Sequence, residues 1–288
     1  MSVCESSNIT IQIDESKPYC KCWERDPNYK YENYDFYTSL NESYQSNETE
    51  LKIATQIYID FTEYLKQQLT PDEIEHIENT SYINASFDRD DDLTHFQSGF
   101  NIAMILHENE LEELGITEQQ KIYLVFTDAI QHEGITQGRN IFLKCNTKNG
   151  YITLGSIKKI FEIPDILIHE IQHALDNIRS KYRCLDQNVK KSFRSTTEMH
   201  AYRNNLIWFL NDLRTKGYDF SIDVFRTKER FMGFLKDLLV SEKYMMINQS
   251  VLRVLYTFLN SITPKDYKEI IKDIAEYFQE KLKNSSEE

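Results

Sequence analysis

From Glu50 to Leu69 the apolar residues Leu51, Ala54, Ile57, Tyr58, Phe61, Tyr64 and Leu65 recur at three- and four-residue intervals, which stacks them on one face of an α-helix. Thr70 followed by Pro71 reads as a cap and first-turn proline for a short acidic helix reaching about Asn79. A further helix is expected around Phe100 to Leu114, and Thr117 with Gln120 suits the capping box of another short turn. The pattern then changes. KIYLVFTDAI (121–130), NIFLKCN (140–146) and YITLGS (151–156) are β-branched and aromatic runs of strand length, and Asn149-Gly150 between the last two reads as a hairpin turn. Pro164 suits the first turn of a helical run, and STTEMHAYRNNLIWFL, from Ser195, reads as a second helix. After Gly217 the spacing predicts helices over 222–240 and 244–261, and a last one capped by Thr263, with Pro264 in its first turn, to about Lys283.

These elements predict an α+β chain that is helix-rich overall. Residues 1–48, dense in Tyr, Asn, Ser and acids, form an irregular lead-in. A single domain is expected over 49–288, with its core at about 120–212 and a C-terminal helical part at about 218–284. Composition agrees, because 8 Gly and 5 Pro are too few for a turn-dense all-β fold and 40% hydrophobic residues are too many for a disordered chain. The net charge of −13 repels nucleic acid and anionic lipid, and the densest basic cluster, Lys190, Lys191 and Arg194, reads as a solvated face. No run approaches the ~18 apolar residues that span a bilayer. The opening MSVCESSNIT has no basic or apolar leader segment, so a soluble chain without membrane insertion is expected. Cysteines at 4, 20, 22, 145 and 184 suggest no disulfide framework and read as free thiols of a reducing, cytoplasmic compartment. DRDDD at 88–92 lacks the glycine and closing glutamate of a calcium loop and reads as a solvated turn.

The chemistry is concentrated in ILIHEIQHALD, 166–176. Residues four apart on a helix lie one turn above each other, so His169 and His173 can present imidazole nitrogens to one ion at ~2.0–2.1 Å. Glu170, at the neighbouring edge of that face, can reach a water activated by a zinc ion without ligating the metal, the position of a general base. With 7 His and 27 Glu in 288 residues, about 0.016 such His-Glu-x-x-His arrangements are expected by chance. Ile166, Leu167, Ile171, Ala174 and Leu175 are uncharged, as a helix packed beneath a sheet requires. Two histidines and a glutamate among them are costly to bury without partners. The competing reading is an ordinary amphipathic helix with a satisfied histidine pair.

A catalytic zinc normally takes three protein ligands and leaves one position open. Glu198, His200, Asp176 and Asp186 are the candidates for the third. Asp176, one turn past His173, is better placed to hydrogen-bond a ligand histidine or to pair with Arg179, and Asp186 sits in the connection. Glu198 follows His173 by 25 residues, enough for a return helix packed antiparallel to the first. Ser195 and Glu198 also fit a capping box, in which the glutamate merely returns to the cap's amide, and His200 is the remaining ligand candidate.

HEIQH with a glutamate on a following helix resembles the gluzincin branch of the zincin metallopeptidases, over about residues 120–212. HEIQHALD followed by TEMHAYR is also similar to small zinc proteases that bacteria inject into host cells. The metzincin glycine and third histidine do not follow His173, and the Asn-Glu pair of thermolysin-like enzymes is missing. The gluzincin resemblance implies a small, mainly antiparallel sheet over an active-site helix and a glutamate helix, with flanking helices. It implies Zn2+ held by His169, His173 and Glu198, Glu170 as base, and a protein or peptide substrate. The second similarity implies an effector exported into a host cell without a cleavable leader. The acidic end EYFQEKLKNSSEE reads as a fraying helix end, with a secretion address as the alternative.

Peptide hydrolysis also needs an oxyanion donor, for which His200, Tyr202 and Arg203 are the candidates. Positions two apart on a helix diverge by about 200°, which turns His200 away from Glu198, whereas Tyr202 at four residues keeps its face. The Asn140 to Ser156 hairpin is expected to offer an edge strand for an extended substrate, and the acidic surface suits basic or neutral segments. Two other functions compete. One is a non-catalytic interaction protein working through its C-terminal helices, with an incidental HExxH; the other is a hydrolase of a non-peptide amide.

Overall fold

A computed structural model of the chain describes residues 9–13, 47–79, 93–97, 101–106, 120–162, 164–180, 187–240 and 249–284. The chain divides into two compact units, residues 1–194 and 195–288. That division falls inside one long helix, whereas the sequence reading draws its boundaries at 49 and near 218.

In the first unit a five-stranded sheet runs in the order β1 (Ile9–Ile13), β3 (Asn101–Leu106), β4 (Gln120–Thr127), β6 (Asn140–Lys144), β5 (Gly134–Gln137). β4 and β6 are parallel and the other neighbours antiparallel, so the sheet is mixed. A second, antiparallel sheet has the order β2 (Leu93–Gln97), β8 (Tyr151–Thr153), β7 (Thr147–Lys148). The helices of this unit are α1 (Asn47–Gln68), α2 (Pro71–Asn79), α3 (Leu154–Glu162) and α4 (Pro164–Ser180). With more helices in the second unit, the chain is helix-rich with a small mixed sheet, compatible with an α+β class.

The register explains why β4 and β6 are apolar almost without alternation. Leu124 pairs with Ile141 and Phe126 with Leu143 on one face, and the β5 partners of Ile141 and Leu143 are Thr136 and Gly134. On the other face Val125, Phe142, Ile130 and Ile135 form their own cluster. A strand covered on both sides reads as a continuous hydrophobic run. The first face is covered by α1, whose Phe61 stacks on Phe126 at 5.9 Å between ring centroids, and by α4, which packs on α1, β5 and β6.

Several expectations hold and several are corrected. Thr70 caps α2 reciprocally with Glu73, whose amide bonds Thr70 Oγ1 at 3.3 Å while Thr70 N–H donates to Glu73 Oε2 at 2.7 Å. Asn149 and Gly150 take left-handed φ of 55° and 82° and turn β7 into β8. This hairpin is short and belongs to the second sheet. β6 lies inside the first sheet, whose edge beside it is β5; β7, within Asn140–Ser156, is an edge of the second, and residues 154–156 begin α3. The helix expected around Phe100–Leu114 is replaced at Asn101–Leu106 by β3, because a short apolar run carries no decisive period and pairing with β1 and β4 settles it. The irregular lead-in likewise contains β1. The DRDDD turn, Thr117, Lys190, Lys191 and Asp186 lie outside the described residues or side chains. Cys145 is a free, buried thiol whose ionisation burial pushes well above its ordinary range.

The long helix α5 (Gln187–Thr215) enters the second unit, which continues with a 3-10 turn (Ile222–Phe225), α6 (Lys228–Val240), α7 (Gln249–Ser261) and α8 (Pro264–Asn284). The single helix expected over 222–240 is thus broken after Phe225, where Thr227 caps α6 by accepting from Arg230 N–H at 3.2 Å. Thr263 caps α8 in the same way, accepting from Asp266 N–H at 3.2 Å. Phe225, Phe231 and Phe278 form the aromatic centre of this unit, with Phe220 edge-on to Phe278 at 5.3 Å. Among the described residues no helix is long and apolar enough to cross a membrane.

Candidate metal centre

α4 begins at Pro164, whose missing N–H costs nothing in a first turn, and buries Leu167, Ile168, Ile171, Ala174, Leu175 and Ile178. Near its start Asp165 is buried. Burial pushes its carboxyl up to about 7, against opposing hydrogen bonds from its own amide and that of Ile166, and its Oδ1 has no hydrogen-bond partner.

On the half-buried flank of α4, His169 Nε2 and His173 Nε2 stand 3.1 Å apart, with ring planes at 79°. Two imidazole nitrogens aimed at each other across that gap must share either a proton or a cation. Ligands at ~2.0–2.1 Å from a tetrahedral zinc lie ~3.3 Å from one another, so the pair has the spacing that zinc requires. Glu198, the third ligand expected, is exposed and stands on α5. Two imidazole nitrogens so placed suit a divalent metal ion, and a carboxylate would complete the donor set. The capping role considered for Glu198 is overturned: α5 starts at Gln187, which leaves Ser195 and Glu198 inside the helix, where no amide needs a cap.

Glu170 packs against β5 and is 8% exposed. Thr136 Oγ1, on β5, lies 2.6 Å from Glu170 Oε2 and 3.0 Å from the Glu170 carbonyl oxygen. Two residues earlier, a Cβ on Gly134 would meet Glu170 Cγ at 2.8 Å and Oε1 at 3.0 Å. The stripe of α4 next to the histidines is held by a buried polar contact. Gln172 Nε2 donates to Asp176 Oδ1 at 2.8 Å and to Glu50 Oε2, on α1, at 3.1 Å, and all three residues are buried. Asp176 is therefore engaged with Gln172 one turn back. Asn177 Nδ2 adds a bond to the Gly138 carbonyl at 3.0 Å, beside β5.

The oxyanion candidates separate. His200 is 1% exposed while Glu198 is exposed, as their helical divergence requires. Tyr202 stacks on Phe258 of α7 at 3.9 Å, and Arg203 Nη1 donates to Asp273 Oδ2 of α8 at 3.3 Å. Sequence reasoning passed over Thr136, Gly134, Gln172 and Glu50. One signal was available: Gly134 precedes a β-branched pair, and a glycine in a strand often marks a close approach of another group. Compared with family models, curated proteins and solved structures, the chain gives no match.

Proposed function

We propose that the chain is a zinc-dependent endopeptidase of the zincin type, gluzincin-like in its ligands, that hydrolyses a protein substrate. The His169 and His173 pair, one helical turn apart with Nε2 atoms 3.1 Å from each other, carries this reading, with Glu198 as the third ligand and Glu170 as the next residue after the first. A bound zinc supplies the Lewis acidity that makes water nucleophilic near neutral pH and polarises a carbonyl. His169 and His173 would hold the ion through Nε2, and the Glu198 carboxylate would add the charge. Glu170, with Oε2 held by the Thr136 hydroxyl, takes the proton of the attacking water on its carboxylate and returns it to the leaving amine. Burial of Glu170 keeps bulk water from competing for that proton.

β5 supports an extended substrate. It is the edge of the five-stranded sheet among the described residues, so its outer backbone groups are available for main-chain pairing beside α4. Such pairing orients the scissile bond without selecting sequence.

The test is zinc per chain by elemental mass spectrometry, with terminal-peptide mass spectrometry of a treated cell lysate. Near-stoichiometric zinc is expected in the wild type and in Glu170→Gln, and loss in His169→Ala. New termini are expected from the wild type alone, and a chelator should abolish them. A folded preparation without zinc would overturn the proposal, as would Glu170→Gln cleaving like the wild type. Zinc and Glu170-dependent hydrolysis confined to non-peptide amides would redirect it to another substrate.

A further inference from the structure

We infer that Gly134 and Thr136 of β5 form a seat for the Glu170 side chain and act as positioning residues for the base, an assignment of role that rests on the peptidase reading above. Both belong to the face of β5 that meets α4, two residues apart as strand geometry requires. Glu170 has three rotatable side-chain bonds, yet a base must hold its oxygens within a fraction of an ångström of the transferring proton.

The seat removes that freedom at two points. Thr136 has one hydroxyl proton. Its 2.6 Å approach to Oε2 is shorter than its 3.0 Å approach to the Glu170 carbonyl, so the carboxylate is the principal acceptor and the carbonyl the secondary one. Gly134 provides the space. Alanine there would bring Cβ to 2.8 Å from Glu170 Cγ and 3.0 Å from Ile166 Cγ2, so the side chain or the strand must shift. One oxygen of Glu170 is thus fixed by a donor, and the other stands where only a glycine leaves room. The same contacts attach the edge strand to α4 at the base itself, so the strand proposed to receive the substrate and the group proposed to move the proton are held in one frame.

The test uses the full chain with Thr136→Val, Thr136→Ser and Gly134→Ala. Thr136→Val keeps the shape and removes the donor, and is expected to lower kcat roughly 10–100-fold while KM stays within about threefold. Thr136→Ser should restore kcat to within about threefold of the wild type, a rescue that loss of packing alone would not give. Gly134→Ala should lower kcat at least as much as Thr136→Val, with zinc per chain unchanged. A second measurement is independent of activity: thermal midpoints of Thr136→Val, Glu170→Ala and the double variant should be non-additive. Wild-type kcat in Thr136→Val, a serine variant as impaired as the valine variant, or additive midpoints would each overturn the seat. If the chain holds no zinc, or Glu170→Gln stays active, the peptidase reading fails and the midpoints alone decide whether the seat exists.

Discussion

α4 carries two polar pairs at the same four-residue spacing, and they differ in every other respect. Gln172 and Asp176 are buried, and they satisfy each other as donor and acceptor at 2.8 Å, with Glu50 as a second acceptor. His169 and His173 are half-buried, and their Nε2 atoms face each other at 3.1 Å. Spacing alone puts two side chains on one face. A complementary pair closes on itself and fastens the helix, whereas two like imidazoles can share either a proton or a cation.

The contrast breaks most sharply at the histidines. His169→Ala should weaken zinc binding by more than the roughly 10–100-fold that changes outside the ligand shell produce, with little change in the unfolding midpoint of the metal-free chain. Gln172→Leu should do the reverse. It takes a donor from two buried carboxylates, so urea unfolding should show a loss of about 2–4 kcal/mol, while zinc per folded chain is unchanged. If Gln172→Leu lost zinc without losing stability, the two flanks would not be distinct.

Asp165 sharpens the comparison through pH. Its carboxyl is raised to about 7, so the folded chain holds that proton more tightly than an unfolded one, whose value is ~3.9. The stabilisation is fully present below about pH 4 and is lost as pH rises through 7. Wild-type stability should therefore fall across that window, while Asp165→Asn gives a flatter profile and gains on the order of 1–3 kcal/mol at pH 8. Equal slopes in the two proteins would contradict this account of Asp165. The smallest effect belongs to Gly150→Ala, remote from both flanks. No atom lies within 4 Å of the added Cβ, so only the left-handed φ of 82° opposes it, at about 1 kcal/mol by thermal denaturation with zinc unchanged.

The elements legible in the sequence are those whose cause is local. The α1 stripe from Leu51 to Leu65, the Thr70 and Thr263 caps and the Asn149-Gly150 turn all satisfy their requirements within a few residues. So does the His169 and His173 pair, because one helical turn sets its spacing. β3 was not legible, since Asn101–Leu106 is too short to show a period and acquires its strand form from β1 and β4. Nor was β5: Gly134–Gln137 has one glycine and mixed polarity, and it is a strand because it pairs with β6.

By itself the sequence determined the α1 stripe, the Thr70 and Thr263 caps, the tight turn and two imidazoles one helical turn apart, because neighbours along the chain supply those constraints. Only the tertiary structure decided which strand lies beside Glu170, that Thr136 and Gly134 hold it, that Glu50 and Gln172 fasten α4 to α1, and that Glu198 stands inside a helix rather than at a cap. Contacts between residues tens of positions apart depend on sheet register and helix packing, which leave no periodic trace in the segments they join.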